Sequence, residues 1–275
     1  MGLLKFVLLS VTGYAAVVGA LLALQRRMIY FPSKSYTLTP ADAGLPWEEV
    51  FLKAVDGVKL CAWYVPADKD GSPVVLYFHG NATNLSGLVG LAGEFRGLGF
   101  GFFAVDYRGY GKSEGTPTES GLYADARAAY GWLVDRGVKP GRIFIYGQSL
   151  GAAVAARLVS EQRAAGVILE GAFPSIYAAA RHHYFWAFVP RAAVKDRFET
   201  EEYVARSLSP VLVIHGARDS IAPRKFGEIV FAAAREPKVL CIVPDSSHNT
   251  ISPASPAVRK ALAGFRDRCL NEMNR

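Results

Sequence analysis

Short runs of apolar residues, each broken by turn residues, recur along this chain. Residues 74–80 (VVLYFHG), 100–107, 142–147, 166–171, 210–216 and 238–244 are almost continuously apolar. Such runs suit strands of a parallel sheet covered on both faces, where neither side meets water. Ahead of them, 48–54 and 58–65 read as a hairpin turning at Asp56-Gly57. Helical periodicity fills the gaps, as in 118–137 with Thr118 as N-cap. The predicted architecture is an α/β domain with a mostly parallel sheet and helices on both faces. One gap is different: 171–209, between the sixth and seventh strands, is aromatic-rich and carries no strand pattern. An insertion there caps the carboxyl end of the sheet, so it is read as a lid.

The amino-terminal pattern has another period altogether. From Leu3 to Leu24 the only charge is Lys5. As a helix this run reaches roughly 33 Å, against a hydrocarbon core of about 30 Å. Gln25, Arg26 and Arg27 should stop it, with Tyr30 and Phe31 at the interface. Residues 1–27 are therefore read as a transmembrane anchor, 28–46 as a connection and 47–275 as the domain. A cleaved signal peptide is the competing reading, with Val18-Gly19-Ala20 as the cleavage site, although the apolar run continues past it. Charge asymmetry across the segment is too small to set its orientation.

Composition adds limits. The chain has 275 residues, 51% hydrophobic and 20% charged, enough to bury a core and too apolar for disorder. Its net charge of +7 is scattered, without a basic run or nucleic-acid module, and suits an anionic membrane surface better than nucleic acid. Cys61, Cys241 and Cys269 are odd in number and far apart, so neither a disulfide framework nor metal spacing results. No cofactor motif is found.

Two stretches match G-x-S-x-G, Gly111 to Gly115 (GKSEG) and Gly147 to Gly151 (GQSLG). The first also mimics the end of a phosphate loop, but Asp106 stands where that motif needs glycine, and no helix follows. A nucleophile elbow needs a strand, a sharp turn and a helix. Only Ser149 has all three: RIFIY before it, glycines on both sides, and LGAAVAARLVSEQ after it. A serine hydroxyl needs a base and an orienting acid. His248, in the polar loop after the last strand, falls where the base belongs in the order serine, acid, histidine. Asp219, after the 210–216 strand, is the acid; Glu170 at the end of the 166–171 strand competes, and Asp245 is too close to His248. The oxyanion donors are the N–H of Leu150 and that of Asn81 in FHGNATN. Within the lid, Tyr184, Phe185, Trp186 and Phe188 are expected to line a substrate pocket.

FHGNATN, DYRGYGKSEGTPTESGLYADARAAYGWL, IYGQSLGAAVA, PVLVIHGARDSIAP and SSHN together resemble the α/β-hydrolases. The likeness is to their membrane-tethered bud-emergence branch, related to α/β-hydrolase-domain depalmitoylases and serine aminopeptidase-like hydrolases. That resemblance implies a triad at Ser149, Asp219 and His248 and an amino-terminal apolar segment ahead of QRRMIYFP. GAAVA after the nucleophile departs from it, since relatives often have a second glycine there. The expected activity is hydrolysis of an acyl ester or thioester, from a lipid or an acylated protein, through an acyl-enzyme. A peptidase on the same triad and a catalytically silent binding scaffold are the alternatives.

Overall fold

The apolar runs fold into one eight-stranded sheet. The structure, a computed structural model, describes residues 2–273. β1 (Glu48–Lys53) and β2 (Lys59–Val65) form the antiparallel hairpin, and β2 pairs antiparallel with β4 (Gly101–Val105). The remaining strands, β3 (Val74–Phe78), β5 (Ile143–Gln148), β6 (Gly166–Glu170), β7 (Val211–Gly216) and β8 (Lys238–Val243), run parallel to β4. Their order across the sheet is β1-β2-β4-β3-β5-β6-β7-β8.

Alternation along each strand divides the apolar side chains between two cores. Leu76, Phe78, Ile145, Leu169 and Val213 join one core, which includes Leu122, Ala129 and Leu133 of α3 (Glu119–Asp135) and Ala152 to Ala156 of α4 (Leu150–Val159). Tyr77, Phe144, Tyr146, Ile168 and Leu212 join the other, with Phe95 of α2 (Val89–Gly97) and Val258, Leu262 and Phe265 of α8 (Pro256–Met273). Successive strand residues face opposite sides, so continuous hydrophobicity is what a doubly covered sheet demands. Thr118 caps α3, its hydroxyl accepting from the Gly121 N–H at 3.1 Å.

Between β6 and β7 the chain forms α5 (Ile176–His183), two short 3-10 turns and α6 (Thr200–Val204), without a strand. Between β7 and β8 lies α7 (Arg224–Ala233).

α1 (Gly2–Ile29) is apolar, with a mean hydropathy of 2.2 over its best window. It does not stop at Gln25, as the sequence suggested, but continues through Arg26 and Arg27 to Ile29. Neither residue type breaks a helix, and both Gln25 and Arg26 find partners on the domain. The first residues of α1 stand free, whereas Val18, Leu21, Leu22, Gln25, Met28 and Ile29 are half-buried along one stripe. Residues 30–46 are pinned rather than loose. Tyr30 is buried, Ser86 Oγ accepts from the N–H groups of Thr37 and Leu38, and Asn84 donates to the Ser35 carbonyl at 2.8 Å.

Candidate active site

β5 delivers Ser149 into a tight turn before α4. Ser149 has φ 53° and ψ −113°, a conformation that side-chain-bearing residues rarely adopt. Backbone crowding explains the flanking glycines. A Cβ on Gly147 would lie 2.1 Å from the Gly151 carbonyl oxygen, and one on Gly151 would lie 2.0 Å from that of Phe78. The Ser149 N–H donates to the Glu170 carbonyl at 2.8 Å, tying the turn to β6.

Three side chains from separate loops meet there. Ser149 Oγ is 2.9 Å from His248 Nε2, and His248 Nδ1 is 2.7 Å from Asp219 Oδ2. An ionised carboxylate only accepts, so Nδ1 carries the proton and Nε2 offers its lone pair to the serine hydroxyl. Asp219 Oδ1 accepts from the N–H groups of Ile221 and Ala222 at 2.9 and 2.8 Å. Burial alone would raise this carboxyl. Hydrogen bonds from His215 and His248 outweigh it and hold Asp219 well below the usual carboxylate range. His215 is buried, donates Nε2–H to the Ala222 carbonyl at 2.7 Å and lies 3.4 Å from Asp219 Oδ2.

The competitors have other partners. Glu170 accepts from the Tyr146 hydroxyl and from Gln148 Nε2, and burial raises its carboxyl. Asp245 is exposed and pairs with Arg218 at 2.8 Å. Ser113 is buried and bonds to neither His215 nor His248. Its hydroxyl donates to the Asp106 carbonyl at 2.7 Å and accepts from the Cys61 N–H at 2.9 Å.

Leu150 opens α4, where the first amides of a helix have no intrahelical acceptor. Asn81 follows Gly80, on which a Cβ would lie 3.7 Å from that of Ser149. Neither amide has an acceptor among the described hydrogen bonds. Asn81 holds its loop through its side chain. Oδ1 accepts from the Tyr110 hydroxyl at 2.8 Å and the Phe31 N–H at 2.9 Å, while Nδ2 donates to the Ile29 carbonyl. Beneath the loop, Asp106 accepts from the Leu85 N–H at 3.0 Å and lies 3.5 Å from His79 Nε2.

Ser149, Leu150, Asn81 and His248 open on a cavity of about 620 Å³. Tyr184, Phe185 and Phe188 line it, and Trp186 does not. Trp186 sits in a 3-10 turn, and its carbonyl accepts from the Tyr14 hydroxyl at 3.2 Å. The sequence reading missed other lining residues: Phe173 and Ile176, and Leu21, Leu22, Met28 and Ile29 of α1. In a uniformly apolar helix no polar contrast marks the stripe that packs, so nothing in α1 signalled it. No carboxylate lines the cavity among the described residues, and Arg181 is its charged member.

The chain is 32% identical over 247 residues to the α/β-hydrolase domain-containing protein WAV2 of Arabidopsis thaliana, covering 81% of this chain and 80% of that one. It belongs to the α/β-hydrolase superfamily. The serine aminopeptidase S33 family model matches residues 70–197. Zebrafish (Danio rerio) lysophosphatidylserine lipase ABHD12 is 34% identical over 197 residues, 65% of this chain and 51% of that protein. Among solved structures, the Pyrococcus furiosus esterase Pf2001 superposes with a TM-score of 0.73 at 22% identity, over 88% of this chain and 98% of that one. That likeness concerns the fold. As a member of this superfamily with hydrolase relatives, the chain is a hydrolase.

Proposed function

We propose that this hydrolase is a membrane-anchored serine esterase or thioesterase that acts on long acyl chains. Ser149 is the nucleophile, His248 the base and Asp219 the group that fixes the imidazole tautomer. As the Ser149 hydroxyl passes its proton to His248 Nε2, Oγ bonds to the acyl carbon. The carbonyl oxygen gathers the negative charge between the N–H groups of Leu150 and Asn81. Collapse of this intermediate breaks the bond to the leaving oxygen or sulfur, which takes the proton from His248. Water then gives a proton to His248 and attacks the acyl-enzyme, releasing the acid and restoring the serine.

The observation that carries this reading is the hydrogen-bonded line Ser149–His248–Asp219 beside a largely apolar cavity that Ser149 and His248 line. The lipase activity of the zebrafish relative supports the same bond class. The apolar length of α1 supports the anchor. A second reading, an aminopeptidase on the same residues, draws on the matching family model. It needs an anionic subsite for a free amine, and the described cavity offers none.

Fluorophosphonate labelling tests the nucleophile: the parent chain labels and Ser149→Ala does not. A panel of acyl esters, acyl thioesters and aminoacyl amides then separates the two readings. Turnover confined to the aminoacyl amides would refute the esterase reading, and an unlabelled, inert parent chain would leave only a binding scaffold.

A further inference from the structure

The last turns of α1 do more than lead from an anchor into a domain. Leu21, Leu22, Met28 and Ile29 line the cavity that Ser149 opens on, together with Ile176 and Phe188 of the insertion. Several contacts hold this wall in place. Arg26 Nε and a terminal guanidinium nitrogen donate to the two oxygens of buried Asp196 at 2.8 and 3.2 Å. Gln25 accepts from the Lys195 N–H at 2.7 Å and donates to the Ala193 carbonyl at 3.3 Å. Below them, Asn81 Nδ2 donates to the Ile29 carbonyl, so the loop beside Ser149 is fastened to the end of the same helix.

We infer that α1 is a specificity element, and that its Leu21–Leu22 and Met28–Ile29 ridges measure the acyl chain. This rests on the esterase reading given above. Burial sorts the residues of α1 by this role. The stripe at 18, 21, 22, 25, 28 and 29 has helical spacing and faces the cavity or the insertion, whereas Leu24, 47% exposed, points away at the same height. Leu3 to Leu21 of α1 spans about 27 Å, so the wall begins where a bilayer's hydrocarbon of about 30 Å ends. Phe185 and Phe188 are 75% and 83% exposed beside it. A substrate with one acyl chain can therefore slide between helix and insertion without leaving an apolar environment, its carbonyl ending near Ser149. A volume of about 620 Å³ suits one such chain.

The experiment uses the full chain in detergent, with acetyl, octanoyl and palmitoyl nitrophenyl esters. Each methylene denied burial lowers kcat/KM about fourfold. Leu22→Trp fills the cavity, so the palmitoyl-to-acetyl ratio should fall about fifteenfold to sixtyfold, through the loss of two or three buried methylenes. The paired change Leu21→Ala, Leu22→Ala widens it and should move the preference toward palmitoyl. Leu24→Trp, on the outward face, should match the parent. Unchanged ratios in both cavity variants, in protein that labels with fluorophosphonate as the parent does, would overturn the inference while leaving the esterase reading intact. Ester turnover surviving in Ser149→Ala would overturn both.

Discussion

Replacing Asp219 by asparagine changes one atom, and the structure dictates where that atom goes. The Ile221 and Ala222 N–H groups both point at Oδ1. An amide NH2 placed there would face two donors, so the asparagine oxygen must take that position. Its nitrogen then replaces Oδ2, 2.7 Å from His248 Nδ1 and 3.4 Å from His215 Nε2. A donor now faces the Nδ1–H, and the imidazole relieves the clash by moving its proton to Nε2. In that tautomer Nε2 cannot accept from Ser149. Loss of the correct tautomer in a triad lowers turnover by about 10⁴, equivalent to about 5 kcal/mol of barrier. The assay is kcat/KM on acetyl and octanoyl esters, with melting temperature as the control for folding. Glu170→Gln is the companion variant, because Glu170 bonds to Tyr146 and Gln148. A loss under tenfold in folded Asp219→Asn, or an equal loss in Glu170→Gln, would refute the tautomer argument.

Ser113→Ala should keep its turnover but lower stability by about 1–3 kcal/mol, since it leaves the buried Cys61 N–H unpaired; a thermal melt beside an ester assay checks both. Gly151→Ala forces a Cβ to 2.0 Å from the Phe78 carbonyl and should abolish soluble expression, whereas Gly90→Ala, with nothing within 4 Å, should be neutral or stabilising by up to about 1 kcal/mol. Phe188→Ala should depress palmitoyl ester turnover more than Trp186→Ala does, because Phe188 lines the cavity and Trp186 does not; equal losses would count against the lining. Acid should act through Asp219. Its folded pKa lies below the unfolded value near 3.9, so its contribution is complete above about pH 4 and is lost as pH falls toward the folded value. Between about pH 4 and pH 2 the parent should therefore lose melting temperature more steeply than Asp219→Asn.

The parts of the molecule that depend on local pattern were legible in the sequence. Every predicted strand is present within a few residues of its expected ends, and β3 to β7, buried on both faces, write their hydrophobicity continuously. Gly147, Ser149 and Gly151 could be read because backbone crowding excludes side chains at two of those positions. What stayed hidden depends on long-range partners. Arg26 looked like a stop signal, yet it pairs with Asp196, 170 positions away. Trp186 and Phe188 are both aromatic and two residues apart, and only the turn at 185–187, followed by Phe188 at φ 45°, sends them to different surroundings. His215, in a strand-end His-Gly like that of His79, gave no hint that it would stand beside Asp219.

The contacts between α1 and the insertion also order events in time. α1 leaves the ribosome ahead of the domain, while Asp196 and Lys195, which grip it, follow some 170 residues later. Those partners reach their places only once β6 and β7 flank the insertion, so the docking closes a very long loop and depends on a sheet that is already formed. Until then the apolar stripe of α1 is unpartnered and free to enter a bilayer. On the proposed anchor, the sequence of synthesis thus separates membrane entry from the assembly of the site. If α1 anchors the chain as proposed, a nascent chain meets lipid before it has the His248 loop or a closed cavity.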